Sequence, residues 1–157
     1  MPFLFSLHLL PRRGTITFMI KADYHFHPNF TLSSSFLTKR RAKNIWEQFE
    51  ASDLDVVLVC EHNYKKSKEA FTTLERLRPA HSKTMLVPGI EVLTKDGADI
   101  LVFAKEPEHI YTKEELLNPG AVTIEELLDI IVTDDHLYGI VAHPYILGRT
   151  GIMRRGA

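Results

Sequence analysis

The feature that most constrains the fold is a continuous apolar run, Val56-Val57-Leu58-Val59-Cys60, within residues 53–60. A strand that is apolar at every position is typical of a parallel sheet that is buried on both faces. The run therefore predicts a buried parallel strand. The 157 residues are 45% hydrophobic, which is enough for one compact domain with a core of its own.

Strand-like and helix-like segments alternate on both sides of this run. Repeated alternation of this kind predicts a parallel sheet with covering helices, either open or closed into a barrel. No internal repeat or linker interrupts the pattern, so we expect one domain. Further strands are predicted over residues 20–25, 84–87 (with Val92 in a continuation), 100–104 and 138–142, and helices over residues 38–51, 65–78 and 123–132.

Two of the predicted helices carry specific signals. In residues 38–51 the apolar side chains recur at helical spacing, which places them on one face. The helix over residues 123–132 begins with Thr123-Ile124-Glu125-Glu126, the pattern of a capping box. The apolar face of the first helix consists of Ala42, Ile45, Trp46 and Phe49.

The N-terminal stretch has the wrong order of features for a secretory signal. Its apolar segment is followed, not preceded, by Arg12 and Arg13, and it is shorter than the roughly 20 residues that span a bilayer. We interpret residues 1–18 as an N-terminal extension, an over-extended reading frame or a disordered arm, with Met19 as the biological start. A membrane-associating segment is the alternative. Because Cys60 is the one cysteine, an internal disulfide is excluded, and we expect a cytoplasmic protein.

Histidines and carboxylates follow the predicted strands. His25 and His27 are two residues apart at the end of the first strand, so their side chains point to the same face and can reach one metal. The carboxyl ends of parallel strands are where such folds build their active sites. The further candidates are Glu61 and His62 after the second strand, Glu91 after the third, Asp99 before the fourth and His143 after the fifth.

This combination of side chains predicts a metal site. Imidazoles and carboxylates together suit zinc, manganese or iron. A carboxylate such as Glu91 can bridge two metals, and paired metals suit displacement at phosphorus. A single histidine at a strand end is weak evidence, and the prediction depends on the arrival of several ligands at successive strand ends.

The same residues resemble a known family. Over residues 19–147 the chain is similar, in order, to the motifs of the PHP (polymerase and histidinol phosphatase) domain. The resemblance implies a distorted (β/α)7 TIM-like barrel with up to three divalent metals, present here as a partial PHP domain over residues 19–157 with about five β/α units. The matching motifs are Asp23-x-His25-x-His27, Glu61-His62, Pro88-Gly89-Ile90-Glu91 and His143-Pro144.

The resemblance also implies a role for each residue. Glu91 corresponds to the bridging carboxylate, and Asp99 stands where the family often has histidine. Asp23 and Glu61 are the catalytic candidates, which we expect to orient the histidines through their second ring nitrogens. The implied metal ligands are His25, His27, His62, Glu91, Asp99 and His143.

Besides Asp99, three further departures from the family pattern leave alternatives open. Residues 28–31 offer no ligand after the first motif, Glu61 replaces a commoner aspartate, and the final Asp-x-His motif would lie beyond residue 157. We expect metal-dependent hydrolysis of phosphate esters by metal-activated water. The alternatives are a catalytically silent PHP-like metal-binding module, a truncated fragment without the final ligands, or a hydrolase of amide or ester bonds.

The expected partner is a small phosphorylated substrate. The net charge of −1 gives no indication of a nucleic-acid surface, although nucleic-acid ends also fit a metal phosphoesterase. Short basic runs, including Lys65-Lys66-Ser67-Lys68, are typical of solvated helix starts. Arg149, Arg154 and Arg155 are weaker candidates for contact with a phosphate. The sequence predicts no membrane partner and leaves the oligomeric state open.

Overall fold

The computed structural model describes residues 19–30 and 35–144, which form five strands and five α-helices. The strands are β1 (Ala22–Phe26), β2 (Val56–His62), β3 (Met85–Leu93), β4 (Asp99–Ala104) and β5 (Leu137–Val141). The helices are α1 (Ser35–Ala51), α2 (Ser67–Arg76), α3 (Pro107–Tyr111), α4 (Glu114–Leu117) and α5 (Ile124–Thr133), and a 3₁₀ turn over Asn63–Lys65 links β2 to α2. The interpretations of residues 1–18 and of Arg149, Arg154 and Arg155 concern positions outside the described residues.

The sheet is mixed, and its strands lie side by side in chain order. β1, β2 and β3 run parallel, whereas β4 runs antiparallel to both of its neighbours, β3 and β5. A β/α barrel needs parallel strands throughout, each followed by a helix. The prediction of an incomplete, PHP-type distorted (β/α)7 TIM-like barrel is therefore wrong. The architecture is a small, strand-rich mixed sheet.

The antiparallel pairing of β3 and β4 follows from the short turn that connects them. The backbone N–H of Thr94 donates to the carbonyl of Ala98 at 3.0 Å, and Gly97 has a φ of 75° and donates to the carbonyl of Thr94 at 2.9 Å. Parallel neighbours need a crossover of about a dozen residues or more, which this connection cannot supply. The dipeptide Asp96-Gly97 favours a β-hairpin. This signal was overlooked because the alternation of strands and helices around it favoured a parallel sheet.

One face of the sheet packs against the helices in the main core. The indole N–H of Trp46 donates to the carbonyl of Leu74 at 3.1 Å, which joins α1 to α2. The prediction for the apolar face of α1 is confirmed. Its four residues, Ala42, Ile45, Trp46 and Phe49, are all buried, with at most 6% of each exposed.

The capping box at the start of α5 is confirmed as well. The hydroxyl oxygen of Thr123 accepts the backbone N–H of Glu126 at 3.2 Å, and the Glu126 carboxylate accepts the backbone N–H of Thr123 at 2.7 Å. The exchange satisfies backbone donors that the first turn of a helix leaves unpaired.

Among the described residues, no helix combines the length and apolar character needed to cross a membrane.

The opposite face of the sheet carries a smaller apolar cluster. Cys60 pairs in register with Gly89, and His62 pairs with Glu91. Residues two apart on a strand share a face, so His62 and Glu91 project from the same face as Cys60. The smaller cluster therefore forms the floor beneath them. Its buried members are Leu58, Cys60, Leu101 and Ala142.

Candidate metal centre

A β-bulge in β1 orients the two histidines of the first motif. The pairing of Asp23 and Phe26 with β2 leaves one extra residue in β1 between them. The carboxylate of Asp23 accepts the backbone N–H of His25 at 3.0 Å, so a donor in the bulged stretch is satisfied. The rings of His25 and His27 then approach each other, with 2.9 Å between their Nε2 atoms.

The bulge also changes the direction of the aromatic residues in β1. The sequence predicts that Tyr24 and Phe26 both face the helices. Phe26 does so, because its ring meets that of Phe49 in α1 edge-on at 4.9 Å. Tyr24 instead packs against the smaller cluster on the opposite face, so the prediction is wrong for this residue. Strict alternation of side chains does not hold across a bulge.

Glu91 is the centre of the site. It lies within β3, not after it, and its side chain has no exposed surface. Its Oε1 atom is 3.4 Å from Nε2 of both His25 and His143. Its Oε2 atom is 3.2 Å from Nε2 of His27 and 2.7 Å from Nδ1 of His62. The two oxygens of one carboxylate therefore divide four imidazoles into two pairs.

Asp99 lies at the same end of the strands as the other site residues. The sequence placed it at the start of a parallel strand, whereas β4 is antiparallel to β3. Because β4 runs antiparallel to β3, its amino end lies beside the carboxyl ends of the other strands. Asp99 shares a face with Leu101, which pairs with Glu91. Burial and the charge of Glu91 raise the pKa of Asp99. The tightest groups of potential ligands among the described residues are His25, His27 and Glu91, and His27, Glu61 and His62.

Glu61 connects β2 to the loop that follows β1. Its Oε1 atom lies 3.4 Å from Nδ1 of His27, and its Oε2 atom accepts the backbone N–H of Asn29 at 2.6 Å. The side chain is 1% exposed. This contact with the second nitrogen of a histidine is the one expected for an orienting residue. Glu61 is also a potential metal ligand, which the sequence did not predict. Asp23, which was expected to orient a histidine ring, instead accepts the backbone N–H of His25.

Glu91 and His27 have pKa values that are shifted in opposite directions. Burial raises the pKa of Glu91, but the imidazoles of His25, His27 and His62 outweigh burial and hold this pKa well below its usual range. Burial lowers the pKa of His27, but Glu61 and Glu91 outweigh it and raise this pKa to about 9. Without a bound cation, the carboxylate of Glu91 is therefore ionised and His27 carries a proton at neutral pH.

The donor set fits a divalent metal. Both oxygens of Glu91 and Nδ1 of His27 are buried without a hydrogen bond among the described residues, although about nine in ten buried polar atoms in proteins have one. Ligands about 2.1 Å from a metal lie about 3.0–3.4 Å from each other in octahedral or tetrahedral geometry. The Nε2 atoms of His25 and His27 are 2.9 Å apart, and they lie 3.4 Å from Oε1 and 3.2 Å from Oε2 of Glu91 respectively, which is close to that spacing.

Left-handed backbone conformations occur around the cluster. Asn29, Lys66 and His143 have φ values of 50°, 56° and 49°. Asparagine and histidine adopt this conformation more often than most residues do, whereas for lysine it is uncommon. Residues in sparsely populated conformations concentrate at functional sites, where the surrounding structure holds them in place. The backbone of His143 is therefore held in the conformation that directs its ring to Glu91.

Sequence analysis missed two residues that border the cluster. Tyr64 stacks on His62 with ring centroids 4.7 Å apart and ring planes 15° apart. The ammonium group of Lys65 donates to Oδ1 of Asn29 at 2.8 Å and lies 4.0 Å from Glu61. Lys65 was interpreted as part of a solvated helix start. The signal that could have identified both is their position directly after Glu61-His62, because a 3₁₀ turn keeps them at the strand end.

Comparison with known proteins identifies a similar fold. The chain is similar to PsfC. The crystal structure of PsfC from Pseudomonas syringae PB-5123 matches with a TM-score of 0.55 and 20% sequence identity. The match covers 69% of this chain and 48% of PsfC, so the matched region corresponds to about half the length of that protein. At this identity the similarity concerns the fold alone. No family model matches the sequence, and no curated protein matches it.

Proposed function

We propose that this chain binds divalent metal at the Glu91 cluster and hydrolyses phosphate esters, as the resemblance to the PHP family implies. The observation that carries the proposal is the buried carboxylate of Glu91. Its oxygens lie 2.7–3.4 Å from the nitrogens of four imidazole rings, without a hydrogen bond of good geometry among the described residues. A buried anion of this kind requires a compensating charge. A divalent cation supplies that charge in place of the proton on His27.

The residues of the site have separate tasks in this proposal. Glu91 is the ligand shared between the two histidine pairs, and Glu61 orients the ring of His27 from its Nδ1 side. Asp99 adds a carboxylate at the edge of the cluster and Asp23 keeps β1 in its bulged form. A divalent metal such as zinc, manganese or iron supplies Lewis acidity toward phosphoryl oxygens and an acidified water near neutral pH.

The proposed substrate is a small phosphate ester. Lys65 and Arg41 both donate to the loop after β1, Lys65 to the side chain of Asn29 and Arg41 to the carbonyl of Pro28 at 2.6 Å. Two cations therefore flank the loop that carries His27, and cations are suited to hold phosphate oxygens.

With one cysteine, which is buried and free, the chain has no internal disulfide, and we propose a cytoplasmic location.

The test combines elemental analysis of the purified chain with turnover of 4-nitrophenyl phosphate in the same sample. We expect bound metal and turnover that EDTA abolishes in the wild type. Both should be lost in the His25→Ala/His27→Ala variant. The control is His81→Ala, because His81 pairs with Glu50 at 3.1 Å and is largely exposed.

Each outcome has a distinct meaning. Undiminished EDTA-sensitive turnover in the double variant would exclude the cluster as the reaction centre. Bound metal without turnover of any phosphate ester would instead identify a metal-binding module with no hydrolase activity. A wild-type chain without metal after incubation with zinc or manganese would contradict the metal assignment itself.

A further inference from the structure

Tyr64 and Lys65 form an exposed rim beside the metal cluster. Tyr64 is 53% exposed even though one face of its ring lies against His62. An exposed aromatic ring keeps its apolar surface in contact with water, which is unfavourable. Such rings are frequent in recognition sites, where a ligand covers them. Because His62 is itself 2.7 Å from Glu91, the ring of Tyr64 lies one side chain away from the centre of the site.

A cation accompanies this aromatic ring. The ammonium group of Lys65 lies 5.7 Å from the centroid of the Tyr64 ring. Its hydrogen bond to Asn29 holds the ammonium group on the side of the loop after β1. A ligand that approaches the cluster from this side therefore meets an aromatic face and a positive charge next to each other.

We propose that this rim selects phosphate esters whose alcohol part carries an aromatic ring, such as aryl or nucleoside phosphates. The phosphate lies at the cluster, where Lys65 contributes to its binding, and the aromatic ring of the substrate stacks on the exposed part of the Tyr64 ring. The inference rests on the proposed function, because it assigns the phosphate to the metal cluster. Tyr64 is thereby a specificity-determining residue.

A structural role alone does not account for this arrangement. A ring that only supported His62 would be expected to lie buried against it, whereas more than half of Tyr64 faces solvent. The two roles also predict different consequences of substitution. Loss of support for His62 weakens every ligand equally, whereas loss of a stacking surface weakens only ligands that have a ring to stack.

The experiment measures binding of phenylphosphonate and propylphosphonate to the zinc-loaded chain by isothermal titration calorimetry. The two probes carry the same anionic group, and neither can be hydrolysed at a phosphate ester bond. Stacking of a ring on an aromatic side chain changes affinity by about 5-fold to 100-fold. We expect that preference for phenylphosphonate in the wild type, its retention in Tyr64→Phe and its loss in Tyr64→Leu. Lys65→Met should weaken both probes without changing their ratio.

The outcomes separate this inference from the proposed function. Equal affinity for the two probes in the wild type, or an unchanged preference in Tyr64→Leu, would overturn the rim. Turnover of 4-nitrophenyl phosphate together with equal affinity for the two phosphonates would support hydrolysis and contradict the proposed role of the rim. A preference that depends on Tyr64 without turnover would support the rim and contradict hydrolysis. Absence of binding of either probe would overturn the rim and count against the phosphate site.

Discussion

The imidazole rings of His25 and His143 lie 4.9 Å apart, although His25 belongs to the first strand of the sheet and His143 follows the fifth. Strands in a flat sheet are about 4.8 Å apart, so these two positions would be about 19 Å apart without curvature. The sheet therefore curls around the face that carries Glu91. This curl brings imidazoles from both edges of the sheet to the same carboxylate.

The first prediction concerns the ligand that arrives from the far edge. In His143→Ala, one of the two imidazoles at Oε1 of Glu91 is lost. We expect at least a tenfold loss of metal affinity, on the order of what substitution of supporting residues in metal sites costs. Competition with a chromophoric chelator measures the affinity. A metal affinity equal to that of the His81→Ala control would mean that His143 is not a metal ligand, although the curvature of the sheet brings it close to Glu91.

The second prediction concerns the central carboxylate. Glu91→Gln keeps the size of the side chain but removes the negative charge that lies between the four rings. A neutral amide is a poor ligand and cannot bridge two cations, so metal content should fall below that of any single histidine variant. Elemental analysis after dialysis measures it. The matched control is Glu47→Gln, an exposed residue that pairs with Lys43, and equal metal content in both variants would exclude Glu91 as a ligand.

The third prediction concerns the floor of the site. A Cβ atom at Gly89 would lie 2.8 Å from the sulfur of Cys60 and 3.2 Å from the carbonyl oxygen of Val102. Gly89→Ala should therefore destabilise the chain by about 1–3 kcal/mol, the usual cost of overpacking. Urea unfolding measures the free energy. In the Gly89→Ala/Cys60→Ala double variant we expect partial recovery, because the sulfur is removed while the backbone contact stays.

No recovery in the double variant would show that the backbone contact alone limits this position. A Gly89→Ala variant as stable as the wild type would contradict the close approach of β2 and β3 beneath Glu91. Cys60→Ala alone is the control for the cavity that loss of the sulfur creates.

The fourth prediction concerns the N-terminus of α5. Thr123→Ala removes the hydroxyl oxygen that accepts the Glu126 N–H and should lower the free energy of unfolding by about 1 kcal/mol. Thr123→Ser retains the acceptor and should stay close to the wild type. Thermal or urea unfolding compares the three proteins. Equal losses in the alanine and serine variants would show that the methyl group, not the cap, is responsible.

The fifth prediction is the pH dependence of the same capping box. Its hydrogen bonds to Thr123 lower the pKa of Glu126 from its ordinary value of 4.5. A folded pKa below the unfolded pKa means that the stabilisation is present above pH 4.5 and is lost as pH falls through the folded value. The stability difference between the wild type and Glu126→Gln should therefore shrink between pH 7 and pH 3. A difference independent of pH would exclude the ionised carboxylate as its source.

Local elements could be predicted because their signals lie within a few residues of each other. The spacing of Ala42, Ile45 and Phe49 is enough to specify which face of α1 is buried, and the cap of α5 depends on Thr123 and Glu126 alone. The candidate site could also be predicted in part, because each of its histidines lies within two residues of the carboxyl end of a strand. Whether these residues bind metal stays a prediction.

Strand direction could not be deduced from the apolar pattern. Ile100-Leu101-Val102 in β4 is as apolar as the run in β2, but its orientation depends on the length of the turn before it. Asp99 illustrates the consequence, since it is brought to the site by the amino end of an antiparallel strand. The face taken by Tyr24 was missed for a related reason, because the bulge in β1 reflects pairing with β2 and leaves no clear trace in the sequence.

The sequence by itself determined the five strands, the three longer helices with the cap of α5, and a set of histidines and carboxylates at or near the strand ends, because each depends on short-range periodicity or on neighbouring residues. It did not predict the short helices α3 and α4. Only the tertiary structure decided that the sheet is mixed, that it curls until His25 meets His143, and that Glu91 lies between four rings. The curl and the position of Glu91 depend on pairing and packing between residues far apart in the chain, which no local pattern records. The antiparallel direction of β4 depends on the short turn at Asp96-Gly97, whose signal was overlooked.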